Sequence, residues 1–253
     1  MFRKVLFLGR KNDKKSKKLL SYIRKKSSAV NVIWSVYPDD KLKSKKILNQ
    51  NYDYIFCFRS FYILKKNLLK KAKYVAINFH SSIPKYRGTG CLNYAMYKNE
   101  KYYGTTAHIM HPEIDKGTII NVRRFKILKR NSVETLLEKA HKILLKQAME
   151  TINLLNKNPA NLDKLIYKSK NEKWSKKIKK RKHLDQFYNI KKNTSHRVLI
   201  KKIRACYIHN SFRPYITLHN FKFILASPYY EKKTKSKKYK VYFNIPSDLI
   251  KKR

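Results

Sequence analysis

Four short apolar segments alternate with amphipathic segments over the first 80 residues, and this alternation constrains the fold more than any other feature. The apolar segments are residues 5–9, 30–36, 54–58 and 74–79, and the amphipathic segments are residues 14–26, 41–50 and 63–69. A strand that is buried on both faces is apolar along its whole length, and parallel strands joined by helices form such a sheet. The pattern predicts an α/β fold with a doubly wound, Rossmann-like and mostly parallel sheet.

The later part of the chain predicts a division into three regions. Residues 1–160 form a main domain, which closes with a helix, two strands and a long helix over residues 91–98, 104–110, 118–125 and 132–156. Residues 161–185 are dense in lysine and are interpreted as a basic linker. Residues 186–253 form a small C-terminal subdomain with a helix over 198–206, a β-hairpin over 215–225, a strand over 239–245 and a lysine-rich tail.

The fourth apolar segment ends in polar residues that can form a site. Strand side chains alternate between faces, so Asn78 and His80 emerge on the same side at the carboxyl end of the strand. Ligands of open parallel sheets bind at that end. Asp115 lies in a loop between two later strands, and a fold that places those strands beside the fourth brings its carboxylate to His80. The pattern predicts an amide, an imidazole and a carboxylate at one edge of the sheet.

The charge of the chain is extreme, since 62 Lys and Arg residues against 15 Asp and Glu give a formal net charge of +47. Such a balance is typical of proteins that bind nucleic acid or anionic membranes. The chain is also rich in Lys, Asn, Ile and Tyr and poor in Gly and Pro, a bias that A/T-rich codons produce, and its lysines are scattered over nearly every segment. Both origins of the charge stay open, and either would attract a substrate that carries phosphate.

The cysteines and histidines do not follow the spacing of a metal site, so we expect no metal. Cys57, Cys91 and Cys206 are far apart and suit a reducing compartment. His108 and His111 fall on or beside a strand and are interpreted as structural. The sequence has no apolar run of the roughly 18 residues that span a bilayer, and its first residues turn polar too soon for a signal peptide. We expect a cytoplasmic protein without membrane insertion.

Three motifs resemble those of the formyltransferases that use 10-formyltetrahydrofolate. They are Asn78-Phe79-His80 at the strand end, Pro84-Lys85-Tyr86-Arg87-Gly88 in the next loop, and Asp115-Lys116-Gly117. Residues 90–97, 102–108 and 203–207 are most similar to the branch that formylates nucleotide-linked amino-dideoxy sugars, of the dTDP-4-amino-4,6-dideoxyglucose type. The resemblance covers roughly residues 1–225 and implies that residues 1–160 are the catalytic domain of an enzyme of polysaccharide biosynthesis.

The resemblance implies a role for each residue of the predicted site. Transfer of a formyl group from a folate nitrogen to an amine passes through a tetrahedral carbon with a developing oxyanion, so it needs hydrogen-bond donors and a base. Asn78 would hold and polarise the formyl oxygen, and His80 would take the proton of the amine and help to stabilise the oxyanion. Asp115 would orient His80, favour its charged form and relay the proton towards the departing folate nitrogen.

The resemblance also implies where the formyl donor binds. The donor, 10-formyltetrahydrofolate, would lie between two loops. One loop follows the third strand and contains Arg59, Phe61 and Ile63, and the other leads to Asp115 and contains Pro112. Aromatic stacking and backbone amides would hold the pterin.

The candidates for binding the nucleotide sugar are Arg10, Tyr86, Arg87 and Tyr94. Arg10 lies at the first strand-to-helix turn, a position that favours anions. Arg87 would shape the mouth of the site or act as a structural clamp, and Tyr94 would stack on a base or pack its helix. The family further implies a homodimer through the C-terminal hairpin.

Two other functions stay open. Ser81-Ser82-Ile83 is closer to the Ser-Leu-Leu-Pro loop of the methionyl-tRNA formyltransferases than to the Pro- or Gly-rich segment of many sugar-acting members, and the charge suits tRNA. Against this, the segment after the long helix is shorter than the C-terminal barrel domain of the tRNA enzymes. A non-catalytic polyanion-binding protein on the same fold is the third hypothesis, and nucleic acid is a partner only under these alternatives.

Overall fold

The computed structural model describes residues 1–36, 47, 49–208, 213–225 and 242–243. In chain order, the helices are α1 (Lys14–Arg24), α2 (Lys66–Leu69), α3 (Cys91–Tyr97), α4 (Val133–Lys157), α5 (Asn161–Lys168), α6 (Arg181–Tyr188) and α7 (His196–Cys206). The strands are β1 (Phe2–Arg10), β2 (Ser27–Ser35), β3 (Tyr52–Phe58), β4 (Ala72–His80), β5 (Arg87–Gly88), β6 (Tyr102–Ile109), β7 (Ile119–Lys126), β8 (Ile178–Lys179), β9 (Tyr215–Leu218), β10 (Phe221–Ile224) and β11 (Tyr242–Phe243).

A six-stranded sheet is the largest sheet, with the strand order β2-β1-β3-β4-β6-β7. The first four strands in this order are parallel to one another, β6 is antiparallel to β4, and β7 is antiparallel to β6. The expected mostly parallel α/β sheet is confirmed. Strands β6 and β7 are antiparallel because residues 110–118 join them directly, without the crossover that a parallel pair needs.

Strand β1 shows why the sheet strands are apolar along their whole length. Val5 and Phe7 belong to the core cluster on one face, together with Leu19 of α1. Leu6 and Leu8 belong to the cluster on the other face. All five side chains are fully buried. Layers on both faces therefore exclude water from the strand, as the continuous apolar run predicts.

The chain divides into two compact units. The first comprises Met1–Gly88, Tyr102–Lys126 and Glu138–Ile178, and it contains the six-stranded sheet. The second comprises Thr89–Lys101, Ile127–Leu137 and Lys179–Arg253. The domain boundaries that we expect at residues 160 and 185 stay predictions.

Within the second unit, α3 packs against α7. The amide of Asn93 donates to the Tyr188 hydroxyl at 3.2 Å and to the Ala205 carbonyl at 2.7 Å. Strands β9 and β10 form the predicted hairpin, and β11 pairs with β10. His219 and Asn220 at the turn have φ values of 46° and 65°, the left-handed conformation that the tightest hairpin turns require.

Residues 161–185, the predicted basic linker, include helical segments at both ends. Helix α5 covers the first eight residues, and α6 begins at Arg181. Leu165 and Leu184 are only 9% and 5% exposed. Each helix thus buries one leucine, although lysines surround it in the sequence. The lysine-rich composition of the segment does not indicate these buried positions.

Some expectations fall outside the described residues. These are most of the helix at 41–50, the lysine-rich segment at 231–240 and most of the strand at 239–245. Across the part of the chain that the structure describes, a membrane-crossing helix is absent, since none combines the necessary length with apolar character. Cys57, Cys91 and Cys206 are buried free thiols.

Candidate active site

Strand β4 ends with the two polar residues that we expect to form a site. Asn78 pairs with His108 of β6, and His80 pairs with Thr106. Asp115 lies in the loop between β6 and β7, which the sheet places beside the end of β4. The structure brings this carboxylate to the imidazole, with 3.6 Å between Asp115 Oδ2 and His80 Nδ1.

The carboxylate of Asp115 is buried, at 7% exposure, and has three neighbours that compensate its charge. The backbone N–H of Gly88 donates to Oδ2 at 2.8 Å, and Oδ1 lies 3.5 Å from Nε2 of His108. Burial by itself raises the pKa of Asp115, but His80, His108 and the Gly88 N–H outweigh burial and lower this pKa to about 2. The group is therefore a carboxylate at any physiological pH.

The backbone of the loop positions this carboxylate. Asp115 has a φ of 46°, in the left-handed region that Asp tolerates better than most residues. Two residues later, a Cβ atom on Gly117 would lie 1.7 Å from the carbonyl oxygen of Ile109. Only glycine allows the loop to approach the end of β6 this closely, which explains the Asp-Lys-Gly spacing.

His108 also belongs to the site, which sequence reasoning missed. Its Nδ1 lies 2.8 Å from the carbonyl of Ile109, which can only accept, so Nδ1 carries a proton. When the ring is neutral, Nε2 accepts from the amide nitrogen of Asn78 at 3.1 Å, whereas only a ring protonated at Nε2 can donate to Asp115. The bond from Asn78 sets the orientation of the amide. Because an amide nitrogen carries two hydrogens, Asn78 keeps a second N–H for a ligand.

His80 has a hydrogen-bond acceptor near each ring nitrogen. Its Nε2 lies 3.1 Å from the carbonyl of Tyr86, and its Nδ1 faces the carboxylate of Asp115. The side chain of His80 is 11% exposed. Since a carbonyl and a carboxylate both accept hydrogen bonds, a neutral ring can donate to one of them, and a ring that has taken a second proton can donate to both.

Arg87 is buried and bonds two main-chain carbonyls. Its Nη1 donates to Ser175 at 3.1 Å, and its Nη2 donates to Ile114 at 2.7 Å. These contacts are those of a structural clamp, which is one of the two roles that we considered for Arg87. The neighbouring candidate, Tyr86, is likewise buried.

The loops after β1 and β3 meet through an ion pair and a cation–π contact. The guanidinium of Arg59 donates to Asp13 Oδ1 at 2.5 Å, and Asp13 Oδ2 caps α1 by accepting from the N–H of Ser16 at 2.8 Å. The guanidinium carbon of Arg10 lies 4.1 Å from the centre of the Phe61 ring. A candidate for the nucleotide sugar, Arg10, thus lies against a candidate for the formyl donor, Phe61.

Three further candidates differ in exposure. Ile63 is 61% exposed, and Pro112 is also exposed. Tyr94 belongs to the second unit and is buried, with its ring centroid 5.0 Å from that of Phe187. These contacts of Tyr94 are those of helix packing.

Another buried histidine, His141 of α4, lies among cations. Burial lowers its pKa, and the charges of Arg59 and Lys15 lower it further, to about 3, although Asp13 opposes them. His141 is therefore neutral at neutral pH.

Sequence reasoning also missed Trp174, which falls within the predicted linker. Its indole N–H donates to the Gly117 carbonyl at 2.7 Å, and its ring contacts those of His80 and His108. The available signal was the residue type, because a lone Trp in a run of charges rarely stays fully exposed. For His108 the signal was strand pairing, since a strand antiparallel to β4 places His108 opposite Asn78.

The fold and the site define an α/β domain in which a carboxylate, two imidazoles and an amide meet beside the carboxyl end of a mostly parallel sheet. Residues 39–152 match the model of the formyl transferase family. This match agrees with the resemblance that the three sequence motifs carry.

Individual proteins are similar to this chain in sequence or in fold. The methionyl-tRNA formyltransferase of Thermodesulfovibrio yellowstonii is 32% identical over 120 residues, which are 47% of this chain and 38% of that protein. The solved structure of a sugar N-formyltransferase from Shewanella sp FDAARGOS_354 has a TM-score of 0.67 at 17% identity and covers 91% of this chain and 99% of its own. The N-formyltransferase of Helicobacter canadensis, solved with folinic acid and dTDP-3-aminofucose, has a TM-score of 0.60 at 17% identity, with 88% and 95% covered.

The structural comparisons and the sequence comparisons support different conclusions. At 17% identity, the two structural likenesses concern the fold alone. The matched segments span between 24% and 54% of the length of four curated relatives.

Proposed function

We propose that this protein transfers the formyl group of 10-formyltetrahydrofolate to the amino group of a nucleotide-linked amino-dideoxy sugar, of the dTDP-4-amino-4,6-dideoxyglucose type. The observation that carries the proposal is the buried, ionised Asp115 facing His80, with Asn78 beside them at the end of β4. Attack of an amine on a formyl carbon needs a proton acceptor and a donor to the formyl oxygen, and this set contains both.

Asn78 is the donor to the formyl oxygen. His108 holds one amide hydrogen of Asn78, so the amide has a fixed orientation before any substrate binds. A donor that is oriented in advance stabilises developing negative charge without reorganisation, and such a donor is worth about 3 kcal/mol in the transition state.

His80 and Asp115 move the proton. The neutral form of His80 takes the proton of the attacking amine, and the carboxylate of Asp115 stabilises the imidazolium that results. The proton then passes towards the departing folate nitrogen. A positioned base of this kind accelerates transfer by about a hundred- to ten-thousand-fold.

The residues proposed to hold the formyl donor fit a flat, partly apolar molecule. Phe61 offers an aromatic ring, and Ile63 and Pro112 offer exposed apolar surface. The donor supplies a formyl group on a nitrogen whose departure leaves tetrahydrofolate. The structure of the Helicobacter canadensis protein with folinic acid supports this choice of donor.

For the nucleotide sugar, Arg10 is the proposed partner of the diphosphate, while Tyr86, Arg87 and Tyr94 are buried and would act through packing. The sugar in the Helicobacter canadensis structure, dTDP-3-aminofucose, supports this class of acceptor. A homodimer through the hairpin and a place in polysaccharide biosynthesis belong to the same proposal.

Charged initiator tRNA is the second candidate acceptor. Two observations favour it, namely the match to a methionyl-tRNA formyltransferase and the net charge of +47. Both candidates use the same donor and the same transfer chemistry, so they differ only in the molecule that carries the amine.

A transfer assay with 10-formyltetrahydrofolate distinguishes the candidates. A panel of dTDP- and UDP-linked amino sugars is tested beside methionyl initiator tRNA at moderate salt. We expect formylation of one nucleotide sugar and none of the tRNA. Transfer to tRNA alone would replace the proposed acceptor, and transfer to neither would favour a polyanion-binding protein on this fold.

A further inference from the structure

The segment between α5 and β8 places an aromatic ring against both histidines of the candidate site. The ring centroid of Trp174 lies 5.0 Å from that of His108, at an interplanar angle of 86°, and 6.1 Å from that of His80, at 63°. Both arrangements are T-shaped, a favoured geometry for aromatic pairs. The ring therefore limits the positions that the two imidazoles can adopt.

The same segment bonds both loops that carry the site. The indole N–H of Trp174 donates to the carbonyl of Gly117, two residues after Asp115, at 2.7 Å. The next residue, Ser175, donates its N–H to the carbonyl of Pro84 at 3.0 Å and accepts from Arg87 at 3.1 Å. The loop after β4 and the loop after β6 are thus joined through two consecutive residues.

We infer that Trp174 is a positioning residue that holds His80 and His108 in line with Asp115. Its indole N–H fixes the position of the loop that carries Asp115, through the bond to Gly117. Its ring restricts the orientations of the two imidazole rings. The contacts themselves are independent of the reaction, whereas the kinetic consequence rests on the proposed formyl transfer.

Trp174 is half-buried, and ordinary packing also produces such contacts, so the test needs a readout that a change in stability alone does not alter. The protein has two tryptophans, Trp34 and Trp174. Trp34 lies in β2 and packs edge-on against Phe7, with 6.0 Å between centroids. Replacing Trp34 by Phe leaves Trp174 as the sole indole fluorophore.

The first experiment measures the fluorescence of Trp34→Phe against pH. A protonated imidazole quenches indole fluorescence at contact distance, so the emission should rise as His80, which faces Asp115, loses its proton. The carboxylate of Asp115 lies 3.6 Å from His80 Nδ1 and 3.5 Å from His108 Nε2. Adding Asp115→Asn should move the midpoint to lower pH, because the carboxylate that favours the imidazolium is lost. A pH-independent emission, or a midpoint that Asp115→Asn leaves in place, would overturn the inference.

The second experiment compares Trp174→Phe with Trp174→Leu in the transfer assay. Phe keeps an aromatic ring and loses the N–H, whereas Leu loses both. We expect kcat to fall by less than about tenfold in Trp174→Phe and by about a hundredfold in Trp174→Leu, with both KM values within about threefold of wild type, because small displacements of reacting groups cost rate. An unchanged kcat in Trp174→Leu, or a change in KM alone, would overturn the inference.

The two experiments also separate this inference from the proposed function. If wild-type protein formylates no acceptor, the proposed function fails, and the fluorescence titration still decides whether Trp174 contacts the site histidines. If Trp174→Leu does not fold, Trp174→Phe and the titration of the intact Trp174 ring decide the matter.

Discussion

At the scale of single residues, the buried carboxylate of Asp115 stays ionised because its neighbours supply compensating hydrogen bonds and charge. Asp115→Asn keeps the shape of the side chain and removes that charge. We expect kcat of the formyl transfer to fall by about a hundredfold or more, because the imidazolium of His80 loses its counter-charge. Steady-state assays at saturating donor and acceptor measure this change.

The matched control is Asp163→Asn, at an exposed position of α5 in the same unit. It removes one carboxylate of equal charge far in sequence from the site motifs and should keep the wild-type kcat. A wild-type rate in Asp115→Asn would refute the role of this carboxylate.

His141 makes stability depend on pH. Its ordinary pKa of 6.5 applies to the unfolded chain, and its pKa in the folded protein is about 3. Between these values the unfolded chain binds a proton that the folded protein does not, so the free energy of unfolding is full above about pH 6.5 and falls as the pH is lowered towards 3. We expect this residue to remove about 2 kcal/mol between pH 7 and pH 5.

Urea titrations of wild type and His141→Phe at the two pH values measure this contribution. The variant should lose less stability than wild type over this interval, by about the stated amount. Asp115 does not contribute there, because its pKa lies far below the interval. If wild type and His141→Phe lose the same free energy of unfolding between pH 7 and pH 5, the pKa of His141 is not lowered by folding.

At the scale of elements, Asp13 links helix α1 to the loop after β3. One carboxylate oxygen caps the helix, and the other holds the Arg59 guanidinium. Asp13→Asn keeps the capping group and removes the charge, while Asp13→Ala removes both. We expect unfolding free energies lower by about 3 kcal/mol for Asp13→Asn, because the guanidinium of Arg59, whose side chain is only 12% exposed, loses its partner, and by about 1 kcal/mol more for Asp13→Ala.

The same two variants test whether the loop after β3 holds the formyl donor. If Arg59 and Phe61 bind it, both variants should raise the KM for the donor more than the KM for the acceptor. Denaturant unfolding and two-substrate kinetics provide the two measurements. Equal stability of the two variants would exclude the capping bond, and an unchanged donor KM would place the donor elsewhere.

The positions of most helices and strands were predictable, because strands such as β1 and β4 contain short apolar runs and amphipathic segments of helical length lie between such runs. The direction of β6 and the contacts of His108 were not, because they depend on which strand becomes the neighbour of β4. Trp174 was not predictable either. Its contacts come from a segment 59 residues beyond Asp115, and its lysine-rich surroundings are typical of a solvated linker.

At the scale of the whole molecule, the net charge of +47 has two explanations with different thermodynamic consequences. If the basic surface binds a polyanion such as tRNA, binding releases the counterions of the phosphates that it neutralises. The affinity for that polyanion then falls steeply as the salt concentration rises. A charge that follows codon bias is spread over the surface and acts on a small substrate only through the few phosphates that this substrate carries. Salt dependence therefore separates the explanations.

We expect the KM for the nucleotide sugar to rise by less than about tenfold between 50 mM and 200 mM salt, because a diphosphate offers only two phosphate groups. A partner that contacts six to ten phosphates would instead lose about a thousandfold or more in affinity over the same range. Initiator tRNA binding, measured by filter retention over this range, is the comparison. If tRNA binds weakly and salt abolishes this binding, while the KM for the nucleotide sugar hardly changes, the positive charge follows from codon bias and does not form a binding site for tRNA. Tight tRNA binding that supports turnover at 200 mM would make the basic surface part of the substrate site.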